Sequence, residues 1–294
     1  MTEPIITQPI KLIVVDLDGT LLTSDHEMTD RSEQALKAAM ANGVKVVIAT
    51  GKTHAAATHL INRLELSTFG IYVQGTVTFA RNGSIHSQTT VSAATARQVI
   101  TFADERGYEL AIYSGNRILV RKLTRRMEEL TTHFHEPTPE VIGPLQNVLD
   151  DVVVNKVIAF APHEPRKIAA LRWHLNTQIG ANARLLSAGI SDEIEVLPYN
   201  VSKGSALKIL LKEMGIKSDQ VMALGDGEND VEMLQMVGLG VAMGNANTHV
   251  KSVADTTTAS NDDEGVAQAI EKYVLNTQAK PEEDTSKVAA SLLG

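Results

Sequence analysis

Two aspartates near the start of the chain have a spacing that suits phosphoryl chemistry. Asp16 and Asp18 directly follow the apolar segment 10–15 (IKLIVV), and Gly19 behind them allows the chain to turn sharply. One carboxylate can attack a phosphorus atom and form an acyl phosphate, while the other gives a proton to the leaving oxygen and takes one from water. An Asp-x-Asp pair alone is also common on solvated loops and at helix N-termini. The pair therefore needs support from the rest of the chain.

Several other polar residues follow apolar segments that are typical of buried strands. Thr50 comes after segment 44–49, and Asp226 and Asp230 come after segment 220–224. In an open α/β sheet, the carboxyl ends of the strands form the ligand-binding edge. We therefore expect one site that is built from the side chains of Asp16, Asp18, Thr50, Gln74, Asp226 and Asp230.

The predicted site brings acidic groups from distant segments together without histidine or cysteine. Like charges this close repel strongly unless a cation lies between them. Because carboxylate oxygens are the ligands that magnesium prefers, the sequence predicts Mg²⁺ as the cofactor.

The two outer parts of the chain alternate strand and helix signals. The apolar segments 10–15 and 44–49 flank a helix that is predicted to begin near Thr29 and to end at Gly43. The same alternation returns after residue 202, starting with a predicted helix at 203–214. We predict an α/β fold with a Rossmann-like, doubly wound parallel sheet as its core.

The middle of the chain has hairpin signals instead. Segments 109–114 and 117–122 are predicted to pair around Gly115-Asn116, and a predicted helix precedes them. A second helix, at 165–179, precedes two further strand segments, which makes a faint repeat. We predict an α+β cap domain that is inserted in the core. The predicted divisions are 1–80 and 198–276 for the core, 81–197 for the cap, and 277–294 for a polar C-terminal tail.

Composition and charge narrow the possible functions. The 294 residues carry a formal net charge of −8, which argues against a nucleic-acid partner. The absence of cysteine excludes disulfides, thiolate metal sites and cysteine nucleophiles. No apolar run approaches the ~20 residues of a membrane span, and segment 1–9 lacks the features of a secretion signal. We expect a cytoplasmic protein with neither a nucleic-acid nor a membrane partner.

Four short motifs occur in an order that resembles a known family. They are segment 16–22 (DLDGTLL), Thr50-Gly51, Ser202-Lys203-Gly204 and segment 225–230 (GDGEND). Their residues and order resemble the haloacid dehalogenase superfamily, and within it the Cof-type phosphatases with an inserted α+β cap, type IIB. The resemblance covers nearly the whole chain. It implies a magnesium-dependent phosphatase that acts on a small phosphorylated metabolite, such as a sugar phosphate or a cofactor phosphate.

The resemblance also implies a role for each matched residue. Asp16 would be the nucleophile and Asp18 the general acid and base, while Thr50 and Lys203 would bind the phosphoryl group. The implied magnesium ligands and their supporting residues are Asp16, Asp18 (through its backbone carbonyl), Asp226, Asn229 and Asp230. A lysine at the start of a helix is commonly a solvated surface residue, but the helix dipole slightly disfavours a positive charge there, which favours a functional role for Lys203. Asn229 could equally cap the following helix.

The implied substrate contacts are Thr50, Gly51, Lys52, Gln74 and Lys203. Two of these positions depart from the family pattern. Lys52 stands where many relatives have arginine, and Gln74 stands where they often have asparagine. Because lysine lacks the bidentate fork of a guanidinium group, contacts at these positions are expected to differ from those of the relatives.

Two alternatives to a phosphatase stay open. A phosphomutase would use the same aspartyl-phosphate chemistry and return the phosphoryl group to the sugar. A non-catalytic ligand-binding protein would keep the fold and lose the turnover.

Among the other signals, segment 133–136 (HFHE) is interpreted as a cap loop in preference to a transition-metal site. His54 and His59 are interpreted as surface or packing residues.

Overall fold

A computed structural model describes residues 8–187 and 192–276 of the chain. Its strands are β1 (Leu12–Val15), β2 (Lys45–Ile48), β3 (Gly70–Tyr72), β4 (Val77–Phe79), β5 (Ile85–Gln88), β6 (Glu109–Ser114), β7 (Arg117–Val120), β8 (Glu140–Val141), β9 (Lys156–Phe160), β10 (Ala183–Leu186), β11 (Glu193–Pro198), β12 (Val221–Gly225), β13 (Leu239–Ala242) and β14 (Thr256–Thr257). Its helices are α1 (Asp30–Ala41), α2 (His54–Arg63), α3 (Ala93–Asp104), α4 (Arg125–Thr132), α5 (Pro165–Ile179), α6 (Lys203–Met214), α7 (Val231–Met236), α8 (Thr248–Val253) and α9 (Gly265–Ile270). The predicted polar tail, 277–294, lies outside the described residues.

The core is a parallel sheet with the strand order β14-β13-β12-β1-β2. Its strand β1 lies between β12 and β2 and is buried on both faces, which explains why all four of its residues, 12–15 (LIVV), are apolar. Ile13 and Val15 pack among residues of α1 and α9, whereas Leu12 and Val14 pack among residues of α6 and α7 on the opposite face. The predicted doubly wound α/β core is confirmed.

A second sheet is formed by the middle of the chain, with the strand order β10-β11-β9-β6-β7-β8. The predicted hairpin around Gly115-Asn116 is confirmed, since Ser114 pairs with Arg117. One face of this sheet packs on α3 and α5, and the other carries Ile158 and Phe160, which share a hydrophobic cluster with residues of the core. We call the segment from α3 through β11 the cap.

The exact boundary residues between core and cap stay a prediction. β4 pairs with β3 on one side and with β5 on the other, so this small antiparallel sheet crosses the predicted boundary near Ala80. On the other side, β11 ends at Pro198, where the second core segment is predicted to begin.

Within the described ranges, no helix combines the length and apolar character that crossing a membrane requires.

Candidate active site

Lys203 lies at the centre of the carboxyl edge of the core sheet. Ser202 caps α6 by accepting a hydrogen bond from the backbone N–H of Ser205, and this cap fixes the first turn that carries Lys203. The Lys203 Nζ atom lies 2.7 Å from Asp16 Oδ1 and 2.8 Å from Asp230 Oδ1. Burial by itself lowers the pKa of Lys203, because it disfavours the charged amine. The two carboxylates have the larger effect, and the pKa of Lys203 is raised. The solvated-lysine interpretation is therefore wrong.

Asp16, Asp226 and Asp230 form the acidic part of the site. One carboxylate oxygen from each lies within 4.8 Å of the others. Burial, followed by the charge of Asp230, raises the pKa of Asp16 well above its usual range, although Lys203 opposes this. The same two causes raise the pKa of Asp226 to about 6. A divalent cation fits this donor set, because it supplies the charge that one lysine does not.

Asp230 is engaged at both of its carboxylate oxygens. Oδ1 accepts a hydrogen bond from Lys203, and Oδ2 accepts from the backbone N–H groups of Asp226 and Gly227 at 3.1 and 3.0 Å. These contacts hold the loop between β12 and α7 in a tight turn. The helix after this loop begins at Val231, because Asp230 N–H donates to Gly227 O within the turn.

Gly19 and Thr20 fix the position of Asp226 across the site. Gly19 has a φ of +74°, and a Cβ atom at this position would lie 2.4 Å from Asp226 Oδ2. The Thr20 hydroxyl donates to Asp226 Oδ1 at 2.9 Å. Thr20 of the first motif thus holds Asp226 of the fourth motif, which is a candidate metal ligand. This function of Thr20 was not predicted from the sequence.

Asp18 lies beside Asp16 with its side chain about 37% exposed. Its Oδ1 atom forms an ion pair with Lys52 Nζ at 3.0 Å and contacts His26 Nδ1 at 3.0 Å. The buried Lys52 amine also donates to the backbone carbonyl of Phe134 in the cap at 2.7 Å. His26 is a second residue near the site that the sequence analysis did not single out.

Gln74 links the core edge to the cap. It lies in a 3₁₀ turn after β3, with the left-handed φ of 62°. Its Nε2 group donates to Glu195 Oε2 at 2.9 Å, and its Oε1 atom accepts from Asn229 Nδ2 at 3.0 Å. Asn229 therefore contacts Gln74, and does not act merely as a helix cap.

Thr50 and Gly51 close the same edge. The Thr50 side chain is buried, and its Oγ1 atom accepts a hydrogen bond from the backbone N–H of Lys52 at 3.2 Å. The Gly51 carbonyl accepts from Lys156 Nζ of the cap at 3.2 Å.

Charged side chains of the cap form the opposite wall of the site. Lys156 Nζ lies 2.6 Å from Glu195 Oε1, and Arg126 Nη2 lies 3.1 Å from Glu193 Oε2. The Nε atom of Arg126 is buried and has no hydrogen-bonding partner among the described residues. Burial, with the neighbouring Glu195, raises the pKa of Glu193 to about 7 despite Arg126.

Core and cap enclose a cavity of about 170 Å³. Among the predicted site residues, those that line it are Asp16, Asp18, Thr50, Gly51, Lys52, Gln74, Asp226 and Asn229. Lys203 and Asp230 lie next to Asp16 outside this lining. The cap contributes the charged residues Arg126, Glu136, Lys156, Glu193 and Glu195 together with Tyr113, Leu130, Phe134 and Ile158. For Glu193 and Glu195 the sequence signal was the alternation in 193–196 (EIEV), which places two carboxylates on one face of a strand.

The histidines outside the site behave as expected. His54 stacks on Phe79 with ring centroids 4.1 Å apart, and His59 packs edge-to-face against His135. Segment 133–136 lies in the loop after α4, and among the described residues only the Asp16 cluster has the geometry of a metal site.

The chain also matches a family model. Residues 13–270 match the model of the haloacid dehalogenase-like hydrolases. The chain belongs to this family. The predicted assignment to the haloacid dehalogenase superfamily and its Cof-type members is confirmed, as is the predicted enzyme class of phosphoric monoester hydrolases.

Individual relatives of this haloacid dehalogenase-like hydrolase agree with the assignment. The 5-amino-6-(5-phospho-D-ribitylamino)uracil phosphatase YcsE of Bacillus subtilis is 30% identical, and the match covers 90% of this chain and 96% of YcsE. A haloacid dehalogenase-like hydrolase from Bacteroides thetaiotaomicron has a solved structure with a TM-score of 0.80 and 26% identity, covering 90% of this chain and 99% of that one.

One relative is much longer than this chain. The chloroplastic endoribonuclease YBEY of Arabidopsis thaliana is 34% identical over 272 residues, which are 90% of this chain and 46% of that protein. This chain thus spans about half the length of the plant protein.

Proposed function

We propose that the chain is a magnesium-dependent phosphatase that hydrolyses a small phosphorylated metabolite through an aspartyl phosphate on Asp16. The observation that carries this proposal is the ion pair of 2.7 Å between Asp16 and the buried Lys203, beside Asp226 and with Asp18 on the same loop. Lys203 favours the carboxylate form of Asp16, which is the form that attacks phosphorus.

In the first step, a carboxylate oxygen of Asp16 forms a bond to phosphorus as the bond between phosphorus and the leaving oxygen breaks. Asp18, protonated at the start of this step, gives its proton to the leaving oxygen and releases the alcohol. Lys203, with the hydroxyl group of Thr50, would stabilise negative charge on the phosphoryl oxygens. The dephosphorylated product then leaves the cavity.

In the second step, the Asp18 carboxylate takes a proton from water. The resulting hydroxide forms a bond to phosphorus, and the bond from phosphorus to Asp16 breaks. This step releases inorganic phosphate, restores the Asp16 carboxylate and leaves Asp18 protonated for the next cycle.

We propose that Asp16, Asp226 and the backbone carbonyl of Asp18 hold Mg²⁺, with Asn229 and Asp230 in support. The bound cation supplies positive charge that neutralises the phosphoryl oxygens and lowers the repulsion among the carboxylates. Because both oxygens of Asp230 accept hydrogen bonds from protein groups, its support acts through Lys203 and the turn after β12.

The proposed substrates are small phosphate monoesters that fit under the cap. The similarity to YcsE supports a phosphorylated metabolite as the substrate class. The cavity of about 170 Å³, lined mostly by charged and polar residues with Leu130, Phe134 and Ile158 as an apolar part of its wall, supports a compact leaving group. Gly51, Lys52 and Gln74 line this cavity and are proposed to shape the substrate site.

The proposal is tested by incubating the protein with MgCl₂ and a panel of sugar phosphates, pyridoxal phosphate and flavin mononucleotide, followed by measurement of free phosphate. Asp16→Asn should reduce the release at least about a thousandfold while the fold is kept. Asp25→Asn, at an exposed aspartate on the following loop, is the matched control and should keep full activity. An isomeric phosphate without free phosphate would instead indicate a phosphomutase, and ligand binding without turnover would indicate a binding protein.

A further inference from the structure

Two side chains contact the same oxygen of Asp18. Lys52 Nζ and His26 Nδ1 each lie 3.0 Å from Asp18 Oδ1. The Lys52 side chain is 7% exposed and that of His26 is 15% exposed, while Asp18 itself is more open to the cavity. Because both contacts are made to Oδ1, the other oxygen, Oδ2, is the one left to face a substrate.

The cap also contacts each of these two side chains, through the consecutive residues His133 and Phe134. Lys52 Nζ donates to the Phe134 carbonyl at 2.7 Å. His26 Nε2 lies 3.1 Å from His133 Nε2, with the two rings in an edge-to-face arrangement at 4.4 Å. His133 and Phe134 directly follow α4, so the end of this helix determines where both contacts form.

For a neutral His26, the donor and acceptor of each hydrogen bond from Asp18 to His133 can be assigned by starting at Asp18. Asp18 Oδ1 accepts hydrogen bonds whether Asp18 is ionised or carries its catalytic proton on Oδ2, so His26 donates through Nδ1–H. The Nε2 atom of a neutral His26 then accepts, and His133 must donate through its own Nε2–H. In a neutral His26, one tautomer therefore satisfies the contacts to both Asp18 and His133.

We propose that residues 133–134 of the cap position Asp18 for proton transfer, with Lys52 and His26 as the positioning residues. The inference rests on the proposed function, in which Asp18 is the general acid and base. When the cap is seated on the core, Asp18 Oδ1 is held from two sides and Oδ2 is directed at the leaving oxygen. When the cap moves away, Lys52 loses its contact with Phe134 and His26 loses its contact with His133. Asp18 then loses its fixed orientation.

This role differs from a direct substrate contact by Lys52. A lysine that binds the substrate phosphate would stabilise all phosphate esters alike, whatever their leaving group. A lysine that orients the general acid matters most when the leaving oxygen is basic, because only a basic oxygen needs a proton as its bond breaks.

The test compares phenyl phosphate with p-nitrophenyl phosphate, which are similar in shape and differ in the basicity of the leaving oxygen. Lys52→Met and His26→Asn should lower kcat/KM for phenyl phosphate by roughly 10- to 100-fold, a part of the full contribution of a general acid. For p-nitrophenyl phosphate, the loss should be below about threefold. Asparagine suits the left-handed φ of 60° at His26 and retains a donor toward Asp18, but it cannot reach His133.

Two further variants separate positioning from folding. Lys52→Arg should recover part of the phenyl phosphate activity, since it restores a cation between Asp18 and the Phe134 carbonyl. His133→Phe keeps an aromatic ring at an exposed cap position. It should still lower kcat/KM for phenyl phosphate more than kcat/KM for p-nitrophenyl phosphate. Lys208→Met on α6 and His163→Asn, at another left-handed histidine, are the matched controls and should change neither value.

Equal losses on both substrates would overturn the inference and indicate that Lys52 contacts the phosphate directly. Unchanged rates in His26→Asn and His133→Phe would overturn the cap connection. Absence of turnover of any phosphate ester by the wild-type protein would instead contradict the proposed function.

Discussion

The Lys203 ammonium group lies between two carboxylates, 2.7 Å from Asp16 and 2.8 Å from Asp230, and is shielded from solvent by both. Removing the amine leaves two buried acidic groups without a counter-charge. The free energy of unfolding should then fall by about 3–5 kcal/mol, the usual result of breaking a buried pair on one side.

Lys203→Met tests this relationship. We expect a loss of turnover together with the loss of stability, because Asp16 without the amine holds its proton more tightly and attacks phosphorus poorly. Phosphate release and urea-induced unfolding measure the two effects. Lys208→Met removes an exposed amine from the same helix and should change neither. Full activity in Lys203→Met would contradict the role of this amine.

Gly19→Ala should damage the metal site more than the fold. The new Cβ atom would lie 2.4 Å from Asp226 Oδ2, so Asp226 must move away. Gly83→Ala is a matched control, since Gly83 has a similar φ of +76° with nothing within 4 Å of the added atom. Both changes should cost about 1–2 kcal/mol of stability through backbone strain. Only Gly19→Ala should weaken Mg²⁺ binding, measured by titration calorimetry; equal Mg²⁺ affinity in the two variants would refute the steric argument.

Magnesium affinity should depend on pH in the acidic range. The pKa of Asp226 is raised to about 6, so below this pH the metal competes with a proton for the carboxylate. The dissociation constant for Mg²⁺ should therefore rise below pH 6, approaching about tenfold per pH unit for this one proton, and level off above pH 7. Calorimetric titrations from pH 5 to 8 check this dependence, and a constant affinity over that range would contradict it.

Glu193→Gln should change how stability varies with pH. The pKa of Glu193 rises from 4.5 to about 7 on folding, so between these values the folded state binds more protons than the unfolded state. The free energy of unfolding therefore falls as the pH rises through this window, by up to about 3 kcal/mol. Glutamine cannot ionise and should remove this part of the slope.

Urea unfolding at pH 5 and pH 7 measures the effect of Glu193→Gln. Glu105→Gln, at an exposed position just after α3, should leave the slope unchanged. Parallel pH profiles for wild type and Glu193→Gln would show that Glu193 does not titrate in this window.

Much of the core could be predicted because its signals are local. The helix predicted at 203–214 has the observed ends, since Ser202 caps its start and the left-handed Gly215 ends it. Strands β1, β2 and β12 were predicted to within about two residues, because buried parallel strands leave mostly apolar runs in the sequence. The convergence of Asp16, Thr50 and Asp226 followed from the rule that parallel strands present one common carboxyl edge.

The cap side of the site could not be predicted in the same way. Glu195 reaches Lys156 because β11 pairs with β9 in a register that places Glu195 opposite Ile158. Alternation along a strand shows which residues share a face, but it does not show which distant strand lies beside it.

The sequence by itself predicted the residues that we propose to react, because motif residues and their place after apolar strands are properties of short segments. Only the tertiary structure decided what surrounds these residues. A substrate contact by Lys52 stays a prediction, whereas the structure shows its amine between Asp18 and the carbonyl of Phe134. That contact spans 82 positions of the chain. It depends on how the cap packs on the core, and this packing results from many weak apolar contacts acting together and not from any local pattern.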